Sequence, residues 1–150
     1  MSTFIVGVDP GGTTGVSMWN DAQPTKVVVR QLHATAVRDF LTGLVDAGTE
    51  ESVFIFAVER FVIARNTVRK KGATKDAPGI IQSIRNIAAD HGCEVRMRGA
   101  AESKTFTPNE RLRKLNWYSA GQQHANDATR QVVLCLAECF PETFATLMGV

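Results

Sequence analysis

Cysteine is scarce: three occur in 150 residues, at positions 93, 135 and 139. An odd count without a CxxC pair excludes a disulfide framework and a cysteine-based zinc site. Cys135 and Cys139 lie one helical turn apart and Cys93 is far from both, so a reducing, cytoplasmic setting is expected. No apolar run is long enough to cross a bilayer, and no membrane partner is expected. The first residues lack a charged n-region and a cleavage site, so no secretory signal is expected. Internal repeats and low-complexity tracts are also missing, which excludes solenoids and linker-like chains. What remains is the composition of an ordinary folded chain, read as a single domain over residues 1–150.

The charge is small in sum and uneven in place. The net is +2, yet residues 60–114 hold 13 Lys/Arg against five Asp/Glu, and the rest hold four against ten. A basic middle inside a nearly neutral chain fits a surface that meets a polyanion, although a solvated face would look the same.

Hydrophobic patterning predicts an α/β chain in the order βββαβαβαα. "FIVGVD" (4–9) is a continuous apolar run, hence a buried strand. "TGVSMW" (14–19) and "KVVVR" (26–30) read as a hairpin that extends it. Residues 35–47 carry Val37, Phe40, Leu41, Leu44 and Val45 at helical spacing, with Thr35 to cap the start and Gly48 the end. "SVFIFAVE" (52–59) is a second buried strand. Residues 60–79 show no period and read as a loop. Ile80, Ile84 and Ile87 mark a helix over 80–90 closed by Gly92, and "CEVRMR" (93–98) alternates as a strand. "TPNE" (107–110) has the form of a capping box opening a short basic helix. A last helix runs from His124 through Phe140, with Ala128, Val132, Cys135, Leu136, Cys139 and Phe140 as its core stripe. An antiparallel hairpin on one side and parallel strands in the middle are therefore expected.

Asp9 and Glu59 each end an apolar strand. If those strands are parallel neighbours, both acids emerge at the carboxyl edge where α/β sheets bind ligands. Two adjacent carboxylates repel, and a divalent cation removes the conflict. In "HANDAT" (124–129), His124 and Asp127 are three apart and share a helix face. Asp127 is placed in the first turn, where it also suits the helix dipole, and Asn126 reads as a cap. Asp9, Glu59, His124 and Asp127 together have the donor set for two Mg²⁺ ions.

"GVDPGGTTG", "FAVERF" and "HANDA", in that order and spacing, resemble the RuvC-type Holliday junction resolvases of the ribonuclease H-like superfamily, most of all the short resolvases of actinobacteriophages. The resemblance implies a ribonuclease H-like mixed sheet flanked by helices. It implies Asp9, Glu59 and Asp127 as metal ligands, with His124 at a position that is Asp or His in the family. It further implies a Mg²⁺- or Mn²⁺-dependent homodimeric endonuclease cutting branched DNA in the host cytoplasm, without a nucleotide cofactor. On this reading Pro10, Gly11 and Gly12 let the chain turn sharply and let a phosphodiester approach the metal edge. Arg65, Arg69, Lys70, Lys71 and Lys75 fall where the family carries junction-contacting segments. Lys104, Arg111, Arg113 and Lys114 form a second basic group, with Lys104 facing the scissile region. The isoleucine stripe over 80–90 fits either a dimer interface or ordinary core. Phe61, the single aromatic in residues 60–79, is so near Glu59 that core packing suits it better than a wedge at the junction centre.

Three rivals stand beside this reading: a related nuclease acting on flaps or RNA, an actin-like or sugar-kinase-like ATPase suggested by "DPGGTTG", and a DNA-binding module without catalysis. The ATPase needs a second domain of similar size, and the third leaves the acids without a purpose. Changing both Lys70 and Lys71 to Ala is expected to weaken junction binding and to lower the slope of log affinity against log salt by roughly 2. An unchanged slope in a salt titration removes these lysines from the interface.

Overall fold

The computed structural model describes residues 1–61 and 73–150. Among these residues five strands and six helices follow one another as β1 (Ser2–Asp9), β2 (Thr13–Asn20), β3 (Val27–His33), α1 (Ala34–Asp46), β4 (Ser52–Arg60), α2 (Ala73–His91), β5 (Glu94–Gly99), α3 (Ala100–Phe106), α4 (Asn109–Lys114), α5 (Gln123–Cys139) and α6 (Pro141–Met148). The strands form one mixed sheet in the order β3-β2-β1-β4-β5. β1, β2 and β3 pair antiparallel, whereas β1–β4 and β4–β5 are parallel. Parallel pairs need crossovers, which α1 and α2 supply. The expected α/β sheet, hairpin first and parallel strands after, is the one observed.

Side-chain alternation divides the core in two. Val6, Val8, Phe54, Phe56 and Val58 point to one face and pack with Val37 and Leu41 of α1 and with Ile80, Ile84 and Ile87 of α2. Ile5, Ile55 and Ala57 point to the other face and meet Val132, Val133 and Leu136 of α5, with Leu112, Leu115 and Trp117 outside it. Asp9 and Glu59 have the odd parity, so both belong to the α5 face.

α5 comes unusually close to this face. A Cβ on Gly15 would overlap the His124 carbonyl, and one on Gly7 would overlap the Ala128 carbonyl. The neighbouring Ser17 is also small, and it accepts a hydrogen bond from Thr129 Oγ1 at 2.9 Å in the buried interface. Two glycines thus let a helix backbone rest on the strands. Because α3, α4 and α6 cover its outer side, every residue from Ala125 to Leu136 is buried. The expected stripe was too narrow for a helix packed on all sides.

Several local expectations need correction. α1 is capped by His33, whose Nδ1 accepts from the Thr35 amide at 3.3 Å, and its C-cap is Ala47. α2 begins by Ala73 rather than at 80: Ala77 continues the buried stripe, a small residue that Pro78 and nearby charges obscured. Ile80, Ile84 and Ile87 of α2 are 0–6% exposed in the core, so this stripe is unavailable to pair two copies. Thr107 does not cap α4; Pro108 holds that position, and the buried Thr107 hydroxyl has no partner among the described residues. Residues 100–106 form α3, a helix missed because "AAESKTF" lacks an apolar period. α6 was also missed, as Pro141 opens a new helix where α5 stops. The turn at 10–12 uses no left-handed glycine. Thr14 holds it instead, accepting from the Gly11 amide at 3.2 Å and donating to the Gly11 carbonyl at 2.9 Å.

Among the described residues no single helix is long and apolar enough to cross a membrane. Gly15→Ala is expected to destabilise the chain by about 3 kcal/mol or more, since the clash is with backbone that cannot rotate away. Gly43→Ala, in α1 with nothing within 4 Å, is expected to stabilise by up to ~1 kcal/mol. Urea denaturation of both variants checks the pair; equal effects would refute the close-approach account.

Candidate metal centre at the carboxyl edge of the sheet

A row of residues crosses the sheet at this edge. Gln31 of β3 pairs with Gly15 of β2, and Gly15 pairs with Asp9 of β1. Asp9 and Glu59 follow the last paired residues of β1 and β4, Val8 and Val58. Each member has its own task. Gln31 Oε1 accepts from the His124 and Ala125 amides at 3.1 and 3.3 Å, satisfying the open start of α5, whose own N-cap Gln122 makes no side-chain cap. Gly15 admits the helix, and Asp9 and Glu59 supply the carboxylates. Gln31 was missed in the sequence because a polar residue on an edge strand carries no signal of its own.

α5 then delivers the third acid. Ligand oxygens of Asp9, Glu59 and Asp127 all lie within 4.8 Å of one another. Asp127 stands just past the first turn, not in it as expected, so its place owes more to this cluster than to the helix dipole. Asn126 is a latch rather than a cap: its side chain accepts from the Ser119 amide at 2.8 Å and donates to the Ser119 carbonyl at 2.9 Å. His124 sits beside the cluster, not in it. Its Nδ1 is 3.0 Å from Asp9 Oδ2, and its side chain is 46% exposed.

The electrostatics are strained. The Asp9 and Asp127 side chains are 13% and 10% exposed, and among the described residues no donor reaches the buried Oε2 of Glu59. Burial pushes Glu59 up to about 8, helped by the charge of Asp9, a hydrogen bond to it, and the charge of Asp127; Lys104 pulls the other way. Burial likewise pushes Asp9 up to about 6; the hydrogen bond from Glu59 restrains it, Asp127 adds to the rise and Lys104 opposes it. Without a cation, therefore, a proton must do a cation's work at neutral pH. Three carboxylates with an undonated buried oxygen are the hard-oxygen donor set that Mg²⁺ or Mn²⁺ prefers, and the residues fit such an ion.

Beside Asp127 opens a cavity of about 430 Å³, lined by Lys104, Asn109, Tyr118, Gln122 and Arg130 among others. Lys104 is exposed on α3, and its charge reaches both Asp9 and Glu59. The other basic residues have different positions. Arg111 is half-buried, 4.8 Å above the Phe106 ring and donating to the Phe106 carbonyl at 2.6 Å, so it secures α3 to α4. Arg113 stacks 4.3 Å over Tyr118, a neighbour of the cavity. Lys114 and Lys75 are exposed. Arg65, Arg69, Lys70 and Lys71 lie outside the described residues. Arg96 and Arg98, part of the basic middle, are paired with Glu138 at 3.4 and 2.5 Å. Phe61 is half-buried.

The mixed sheet, its strand order and its flanking helices define a ribonuclease H-like fold. In its particulars this is the fold of RuvC. A Thermus thermophilus RuvC structure in complex with a Holliday junction substrate superposes with a TM-score of 0.61 at 14% identity, covering 92% of this chain and 96% of that one. A second T. thermophilus RuvC structure gives a TM-score of 0.58 at 17% identity, covering 97% and 96%. No protein-family model and no curated protein matches the sequence.

The raised carboxyl values carry a sign for stability. A carboxyl whose folded value lies above its unfolded value stabilises below the unfolded value, and that contribution is lost as pH rises through the folded one. In chelator, the thermal midpoint is therefore expected to fall as pH rises from about 5 to about 9, through the Asp9 and Glu59 values. Glu59→Gln, which keeps a neutral hydrogen-bonding group, should flatten the curve. Superimposable curves for the two proteins would show that these acids are not strained.

Proposed function

We propose that this chain is a divalent-metal-dependent endonuclease that resolves four-way DNA junctions. The observation that carries the reading is the convergence of Asp9, Glu59 and Asp127, from two strand ends and a late helix, within 4.8 Å at the carboxyl edge of a RuvC fold. The T. thermophilus protein of the same fold was solved on a Holliday junction, which supports branched DNA as the substrate.

Asp9, Glu59 and Asp127 would hold the metal, as two Mg²⁺ or Mn²⁺ ions. When bound, such ions polarise a phosphodiester and lower the pKa of water. The chain's own groups do the rest. Lys104 offers an exposed ammonium to a backbone phosphate next to the acids. The cavity beside Asp127 accepts the strand, with Arg113 and Tyr118 stacked at its rim. Asp9, as an ionised acceptor, takes a hydrogen bond from His124 Nδ1–H, which leaves Nε2 with the lone pair that can accept a proton. The basic groups contact phosphate rather than base edges, so affinity depends on salt more than on sequence. Two symmetric cuts in a junction call for two copies related by a two-fold axis, and the buried Ile80, Ile84 and Ile87 do not provide their contact. The setting is the cytoplasm of a bacterial host, where a phage-encoded resolvase would find its DNA.

Asp9→Asn, Glu59→Gln and Asp127→Asn are each expected to lower Mg²⁺-dependent cleavage of a synthetic four-way junction by roughly 10³-fold or more. Junction binding should be kept or strengthened, because repulsion of phosphate is removed along with the metal site. Turnover at the wild-type rate by any of the three contradicts the assignment. Flap and duplex substrates in the same assay distinguish a junction resolvase from a nuclease of other specificity.

A further inference from the structure

A fourth charged group belongs to this centre. Arg130, three residues beyond Asp127 on α5, is 8% exposed. A guanidinium so enclosed needs a partner for each face of its fork, and it has three. Nε donates to Asp127 Oδ1 at 3.2 Å, Nη1 donates to the Thr107 carbonyl at 2.5 Å, and Nη2 donates to Asn109 Oδ1 at 2.5 Å. Thr107 and Asn109 flank the turn from α3 to α4, and Asn109 also lines the cavity with Lys104. The fork is planar and rigid, so two arms fixed on the α3–α4 turn set the direction of the third. Among the described residues no donor reaches the other oxygen of Asp127, Oδ2.

We propose that Arg130 is a positioning residue: its fork holds Asp127 with one oxygen occupied and the other left for a cation, and it ties that ligand to the wall of the cavity where DNA would lie. This rests on the reading of the carboxylate cluster as a metal centre. The rival role for the same charge is simple neutralisation of the three acids. The two roles differ in what a lysine can replace. An ammonium supplies the charge but not the three-way fork.

The test is calorimetric titration of the full chain with Mn²⁺ alone, with thermal melting recorded beside it. Arg130→Gln is expected to raise the Mn²⁺ dissociation constant roughly tenfold or more, the usual effect of losing a group that orients a metal ligand. Arg130→Lys should fail to restore it. Asn109→Ala, an exposed position that removes one arm only, should give a smaller rise with an unchanged melting midpoint. A folded Arg130→Gln protein that binds Mn²⁺ within about twofold of wild type overturns the proposal, as does full restoration by lysine. Should Arg130→Gln not fold, Asn109→Ala decides: unchanged Mn²⁺ affinity overturns the clamp. A wild-type chain that takes up no Mn²⁺ overturns the metal centre itself and the clamp with it. That outcome is seen before any substitution and so is distinct from the others.

Discussion

Three carboxyl groups within 4.8 Å of one another, largely withdrawn from water, cannot all be ionised without a compensating positive charge. This constraint organises the molecule. The parallel pairing of β1 with β4 brings Asp9 beside Glu59, and α5 brings Asp127 across the sequence to meet them. Every cation nearby then has a partial claim on the cluster. Arg130 neutralises one oxygen of Asp127, and Lys104 acts on the other two acids through space. Neither removes the strain, as the elevated Asp9 and Glu59 values show. A site whose strain is relieved by a divalent ion is a site prepared to bind one.

The scaffold meets this demand by treating the two faces of its sheet differently. On the α1–α2 face, bulky apolar side chains fill the space between sheet and helices. On the α5 face, size is graded along the strands. Ile5, Trp19 and Ile55 pack far from the edge, while Gly7, Gly15 and Ser17 let α5 descend close to it. The descent seats His124 directly over Gly15 and therefore beside Asp9, since Gly15 and Asp9 are paired. Gln31 completes the arrangement by receiving the first amides of α5 from the next strand. Packing and chemistry are thus one problem: the glycines that stabilise the helix–sheet contact also set the separation of the acids.

Much of this was legible in the sequence because strong local signals agreed. Continuous apolar runs marked β1 and β4, terminal acids marked their ends, and period 3.6 marked α1 and α5. The sequence put both acids at one edge of the sheet, and the packing of Ile5 and Ile55 against α5 then puts both on one face. The illegible parts depended on tertiary contact. Gly11 and Gly12 looked decisive as a pair, yet the sterically required glycines are Gly7 and Gly15, whose demand comes from a helix more than a hundred residues away. α3 has no apolar period because it is short and half-solvated, and α6 hid behind the proline that starts it. Arg130 read as one more charge on a helix. Its burial and three partners arise only when the α3–α4 turn folds against α5. Likewise, the contacts of Arg111 with the Phe106 ring and carbonyl carry no signal in the sequence.

The most direct measurement is a crystal structure of the chain grown with Mn²⁺, with anomalous scattering recorded near the manganese edge. The account predicts an anomalous peak at coordination distance from oxygens of Asp9, Glu59 and Asp127 together. A peak bound by none of them, or carboxyl groups that stay hydrogen-bonded to one another without metal at saturating Mn²⁺ and neutral pH, would contradict it.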